Sequence, residues 1–208
     1  MNEDSPSGKH RLRDKIRSAT ATAILEAGET VFAEQGLHSA RMDEIAKRAG
    51  LAVGTLYNYF ADRTALLSSL VESRRDELIQ SLDQALASTE TLSFAKQLEV
   101  FVMTSVQHFK THRPFLAILM EAESSHLTTA KPKDSARAVF ERCETLVLRG
   151  QQLGELKSES LVDYPALLHG CLRSVFTRSR FKGALIDPSP EQAVALVEFF
   201  LRGAGRAQ

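Results

Sequence analysis

Met42-Asp-Glu-Ile-Ala-Lys-Arg-Ala-Gly-Leu-Ala-Val-Gly-Thr-Leu-Tyr-Asn-Tyr-Phe60 decides how the rest of the chain is read. Ile45, Ala46 and Ala49 recur at helical spacing, so Met42 to Ala49 reads as one short amphipathic helix. Gly50 follows directly, the residue type that ends a helix in the left-handed conformation at low steric cost. A second short periodic run starts near Val53, with Leu56 and Phe60 on its apolar side. Two short helices joined by a few residues containing Gly form the helix-turn-helix plan, whose second helix lies in the major groove of DNA. Tyr57 and Tyr59 stand near the end of that helix. From there their hydroxyls can donate to phosphate oxygens while the rings brace against the scaffold. An ordinary corner of two helices packed in a core explains neither these polar aromatics nor the glycines.

The surrounding sequence extends the pattern. Ile24, Ala27, Val31 and Phe32 share one face of a first helix over Ala21 to Gln35, and Gly36 is its stop. Ser39 is placed to cap the second helix, and Asp62 to cap a fourth beginning at Arg63. Gly36, Ile45-Ala46, Ala49-Gly50, Gly54-Thr-Leu-Tyr57 and Tyr59-Phe60 together resemble the TetR/AcrR family of one-component transcriptional regulators. The resemblance implies an all-α fold, with a three-helix DNA-binding domain over 20–71 and a helical bundle for ligand binding and dimerisation over 72–208. Residues 1–19 read as a polar, disordered extension carrying Lys9, Arg11, Arg13, Lys15 and Arg17, either a solvated tail whose end merges into the first helix or an arm that reaches phosphates or an adjacent minor groove.

On the positions that match, the resemblance implies DNA contacts from Ser39, Arg41, Ala52, Val53 and Gly54. Thr55, Tyr57, Asn58, Tyr59 and Arg63 complete the set, Arg63 standing where the family commonly has a Lys on the DNA backbone. The chain departs from the family at Gly28, usually Ala, and at Ala40 and Arg41, usually Thr or Ser. It departs again at Ala52 and Val53, which replace polar residues and can only pack on thymine methyls. Gly28 costs its helix about 1 kcal/mol unless close packing uses the missing side chain.

Beyond the fourth helix the pattern stays helical, over Leu92 to Thr111, Pro114 to Glu123, Asp134 to Gln152, Tyr164 to Arg180 and Pro190 to Arg202. A polar loop is expected over Ser125 to Lys133. Phe101, Val102, Phe109, Phe115, Leu119, Met120 and Phe140 are the candidates for enclosing a small organic effector, as the resemblance implies. The last two helices are apolar beyond what one domain face covers, and the family pairs such helices across a two-fold axis. Leu168, Leu172, Val175 and Phe176 on one, with Val194, Val197, Phe200 and Leu201 on the other, are the expected homodimer contacts.

Composition bounds these expectations. The 208 residues are 43% apolar and 25% charged, with zero net charge, unlike a non-specific nucleic-acid coat. Lys and Arg only balance Asp and Glu over residues 1–63, nine against nine, which implies few phosphate contacts and a shallow salt dependence. No apolar run is long enough to span a membrane and no signal peptide is evident, so the cytoplasm is expected. Cys143 and Cys171 lie outside any C-x-x-C spacing and read as small apolar residues. His108 and His112 are four apart on one helix but have no third ligand in sequence, and no metal or cofactor is expected. No nucleophile elbow, zinc-protease motif or phosphate loop occurs, and Glu121 and Glu123 face different sides of a helix, so an enzyme is not expected. The two functional readings left are a repressor released from palindromic operator DNA by an effector, and a helical adaptor that has lost operator binding.

Overall fold

The computed structural model describes residues 6–125, 132–159, 161–182 and 189–205. Among them every regular element is a helix: α1 (Pro6–Gln35), α2 (Met42–Arg48), α3 (Val53–Tyr57), α4 (Arg63–Ser88), α5 (Phe94–Thr111), α6 (Arg113–Ser125), α7 (Pro132–Gln152), α8 (Tyr164–Lys182) and α9 (Pro190–Ala204). The chain divides into two compact units, the first within Met1–Val71 and Glu121–Ala130, the second within Glu72–Met120 and Lys131–Gln208.

In the first unit the expected faces point inward. Ile24, Val31 and Phe32 of α1, Ile45 and Ala46 of α2, Leu56 of α3 and Leu66 and Leu70 of α4 are all buried. Gly36 and Gly50 take φ of 80° and 70°, the left-handed values that only a residue without Cβ adopts freely. After α2 the amide of Leu51 donates to the Ala46 carbonyl and that of Gly50 to the Lys47 carbonyl. This Schellman pair satisfies carbonyls that would otherwise be orphaned at the helix end. Gly28 is used by packing: a Cβ there would lie 2.7 Å from Leu66 Cδ2. Asp62 caps α4, its Oδ1 accepting from the Ala65 amide at 2.8 Å. The first unit also takes in Glu121, whose Oε1 accepts from the Leu37 amide at 3.1 Å.

Two local expectations are corrected. Ser39 is not the cap of α2; the N-cap position is Arg41, and it makes no side-chain cap hydrogen bond. The chain there is held by the Ala40 amide donating to the Gly36 carbonyl and by burial of Ala40 and Met42, so the helix starts later. Residues from Pro6 onward are helical rather than disordered, making α1 30 residues long. Pro6 suits a first helical position, and no breaker stronger than Gly8 intervenes before Gly36. The expected loop over Ser125 to Lys133 falls largely on 126–131, outside the described residues.

The second unit is built around α5, whose Phe94, Leu98, Phe101 and Val102 are almost fully buried. The same core receives Cys143, Leu146 and Val147 from α7, Leu168 and Leu172 from α8, and Leu196, Val197 and Phe200 from α9. Burial raises the Cys143 thiol to about 12 and also raises that of Cys171, so neither is a ready thiolate. Helix α9 opens with a complete capping box: Ser189 Oγ accepts from the Gln192 amide and Gln192 Oε1 accepts from the Ser189 amide. No helix among the described residues is long and apolar enough to cross a membrane.

Gly150 is closely packed against this core. A Cβ there would meet Phe94 Cδ2 at 2.5 Å and Leu156 Cδ1 at 2.9 Å. Gly150→Ala gains about 1 kcal/mol of helix propensity but overpacks two buried side chains, at a cost of about 1–3 kcal/mol. The expected outcome is a net loss of stability, read as a lower midpoint in urea unfolding at unchanged slope. Gly203, with nothing within 4 Å of its Cβ position, is the control at which Ala is tolerated.

Candidate functional site

Helix α3 has one buried residue, Leu56, at 0% exposure. Its immersion turns the rest of the short helix outward. Ala52, Val53, Gly54, Tyr57 and Asn58 are exposed, while Thr55 and Tyr59 are half-buried. Ser39 and Arg41 are exposed as well, and Arg63 is half-buried. The ten residues expected to face DNA therefore all retain solvent access on the one unit, with an apolar Ala52–Val53 step at the head of α3.

The arginines around this face are already engaged. Arg41 makes a paired contact to Asp43, with both N···O distances 3.0 Å. This hydrogen bond holds the Asp43 carboxyl below the usual carboxylate range. Arg48 makes a paired contact to Glu34, at 2.9 and 2.8 Å. Arg63 Nη1 donates to the backbone carbonyls of His38 and Ala40, bracing the segment between α1 and α2. Arg17, which sequence reasoning did not single out as a site residue, lies with its guanidinium carbon 5.7 Å from the centroid of the Tyr59 ring. Such a stack is worth about 0.5–1 kcal/mol at an exposed site. Only the basic run around Arg17 was visible in sequence; its partner forty-two residues away was not.

The second unit carries a groove of about 660 Å³. Glu77 and Ser81 of α4 edge it, with Val100, Met103, Thr104, Gln107, His108, Thr111 and His112 from α5 and its end. His108 is buried, and its Nε2 has no hydrogen-bond partner. Burial, with His112 beside it, pushes the His108 imidazole down to about 4, so it is neutral at physiological pH. His112 Nε2 lies 3.3 Å from Glu77 Oε2, and Arg74 Nη1 reaches Glu77 Oε1 at 2.8 Å. Glu77 is thus the acidic neighbour that the histidine pair lacked in sequence. Even so, among the described residues no group of three His, Cys, Asp or Glu side chains is arranged to hold a metal.

None of the seven expected pocket residues lines this groove. Phe101 and Val102 are fully buried core, and Phe115 is buried. Leu119 and Phe140 are half-buried. Phe109 comes nearest, its ring edge-on to His108 at 5.4 Å between centroids. The side chain of Met120 lies outside the described residues. Of the expected dimer contacts, Leu168, Leu172, Val175, Val197 and Phe200 are buried in the core of the single chain, which assigns them to that core rather than to a partner. Leu201 is half-buried, and the side chain of Phe176 lies outside the described residues. Val194 is exposed at 50%, joined by Leu167 at 52% and Phe199 at 70%, neither of which is among the expected contacts. Alternating apolar residues on both sides of a helix do not reveal which side its own domain covers.

The profile of the tetR family of bacterial regulatory proteins matches residues 24–70. The chain is 34% identical over 88 residues to the transcriptional activator FasR of Mycolicibacterium smegmatis, covering 42% of this chain and 40% of that one. It is 27% identical over 139 residues to the fatty acid metabolism regulator protein of Bacillus subtilis, covering 64% of this chain and 69% of that one. In these alignments the chain therefore spans well under half of the first relative's length and about two thirds of the second's. Among solved structures it resembles SmeT in complex with triclosan, with a TM-score of 0.73 and 21% identity over 90% of this chain and 92% of that one. SmeT is the repressor of the multidrug efflux pump SmeDEF of Stenotrophomonas maltophilia. At that identity the likeness is one of fold.

His108 gives the second unit a defined response to acid. Its folded pKa of about 4 lies below the ordinary value of 6.5, so the unfolded chain takes up the proton first. The stability contributed by the neutral imidazole is whole above pH 6.5 and lost as pH falls to about 4. At 1.36 kcal/mol per unit the loss is on the order of 3 kcal/mol. Urea unfolding at the two ends of that window is expected to show His108→Gln losing correspondingly less stability than the wild type. An equal loss in both proteins contradicts the assignment.

Proposed function

We propose, for a chain that belongs to the tetR family of bacterial regulatory proteins through its residues 24–70, a role as a ligand-responsive transcriptional regulator that binds palindromic operator DNA as a homodimer. The observation that carries this reading is the exposed face of α3. Five residues long, it buries Leu56 alone and offers Val53, Gly54, Tyr57 and Asn58 outward together. Val53 and Ala52 pack on thymine methyls, Asn58 pairs with an adenine edge, and Thr55 and Tyr57 bond phosphate or base. Two-fold pairing sets two such helices on successive major grooves.

The dimer forms through α8 and α9, with Leu167, Val194 and Phe199 in place of the buried residues named from sequence. The effector is a small, mostly apolar molecule with one hydrogen-bonding group. It enters the groove beside Met103 and Val100 and meets the unpartnered Nε2 of His108, with Phe109 behind. The triclosan complex of SmeT is a precedent for small organic ligands on this fold. The relevant states are two separations of the paired DNA-binding units. An effector that prefers the separation unsuited to the operator releases it, and operator DNA weakens the effector by the same factor. In the unliganded state the protein represses.

Gel shift on DNA from the upstream region tests the regulatory role: one saturable complex containing two chains is expected, and absence of sequence preference on all fragments contradicts it. Tyr57→Phe removes one hydrogen bond to a charged phosphate and is expected to weaken that complex roughly tenfold or more at unchanged thermal stability. His108→Phe is expected to leave operator affinity intact and to raise the effector concentration needed for release by about tenfold.

A further inference from the structure

Charge is unevenly divided within the first unit. Residues 20–63 hold four Lys and Arg against six Asp and Glu, whereas residues 6–19 hold five against one. Of the four cations in the helix-turn-helix itself, Arg41 and Arg48 are each doubly bonded to a carboxylate, and Arg63 donates to backbone carbonyls. That leaves Lys47. A surface with net negative charge and one disengaged cation repels a polyanion, yet Tyr57 and its neighbours form a face shaped to meet one. The missing positive charge lies at the start of α1.

We infer that the first turns of α1 are a built part of the DNA interface, supplying the phosphate contacts that the helix-turn-helix lacks. The inference rests on the regulatory reading above and names where its electrostatic attraction resides. Three observations carry it. The basic run is helical and continuous with the buried part of α1, so its side chains are held in register rather than on a loose tail. Arg17 stacks over Tyr59, which places the run directly beside the exit of α3. Arg11, Arg13 and Lys15 are exposed and, among the described residues, make no ion pair.

The basic residues flank the helix on two sides: Arg13 and Arg17 are one turn apart on one, Arg11 and Lys15 one turn apart on the nearly opposite one, each pair separated by about 6 Å along the axis. The one acid of the run, Asp14, is paired with His10 at 2.8 Å on a third side. Leu12 and Ile16 are exposed between the two basic strips at 59% and 57%. A bare apolar ridge with basic flanks also suits an anionic lipid surface. The position of Arg17 against Tyr59 favours DNA.

The test is the triple variant R11Q/R13Q/K15Q, which keeps Arg17 and its stack and retains helix propensity. Binding of wild type and variant to a duplex selected from random sequence is measured across a salt series. Three lost phosphate contacts per subunit lower the slope of log affinity against log salt by roughly 2.7. Between 50 and 200 mM salt the variant therefore forfeits about 40-fold less affinity per subunit than the wild type. The ratio of selected to scrambled sequence is expected to stay the same, because these residues carry no base readout. An unchanged slope in a variant with wild-type circular dichroism overturns the inference while leaving the regulatory reading intact. Loss of binding to phosphatidylserine vesicles with an unchanged DNA slope overturns it in favour of a membrane surface. A wild-type protein that binds no duplex overturns both.

Discussion

A helix of five residues has no stability of its own, since isolated helices shorter than about 12 residues are marginal in water. Helix α3 exists because Leu56 is sunk completely into the first unit, beside α2. Everything presented to solvent by α3 follows from that burial. With Leu56 fixed, helical geometry turns Val53, Gly54 and Tyr57 outward. The Schellman turn at Gly50 sets where α3 begins relative to α2, and the Asp62 cap sets where α4 takes over. The face proposed to meet DNA is therefore a by-product of a well-made core.

Electrostatics around that face is arranged in pairs rather than as a bare patch. The exposed pairs Arg41–Asp43 and Arg48–Glu34 are screened by solvent, so exchanging a carboxylate for a phosphate costs little stability. Arg63 is different, because its partners are the backbone carbonyls of His38 and Ala40. It closes the segment between the first two helices and so acts on the position of α2 as well as on any phosphate nearby. A neutral chain can bind a polyanion in this way, with its free cations concentrated on one element and its bound ones shaping the scaffold.

What the sequence revealed and what it hid divide along a physical line. Local chemistry was legible: Gly36 and Gly50 as left-handed stops, Asp62 as a cap, and the helical face of α1. Each depends on residues within a few positions of one another, where helix geometry dictates the neighbours. The exposure of α3 was legible for the same reason. Properties set by distant partners were not. Arg17 reads as one cation among five until Tyr59 is brought to it, and Glu77 is a helix-surface acid until His112 reaches it. Helix α9 looked like an interface because both its sides are apolar; packing alone decides that Val197 and Phe200 face inward while Val194 and Phe199 do not. The early start of α1 was missed because a polar, charged composition is shared by disordered tails and solvated helices.

The central claim is that two copies of α3 read two half-sites of one operator, each placed by the burial of Leu56. Hydroxyl-radical footprinting of the protein on its selected duplex measures this directly. Two protected tracts of equal strength are expected, centred on successive major grooves about 10 base pairs apart or a multiple of one helical turn. A single tract, or protection spread evenly along the duplex, contradicts the account.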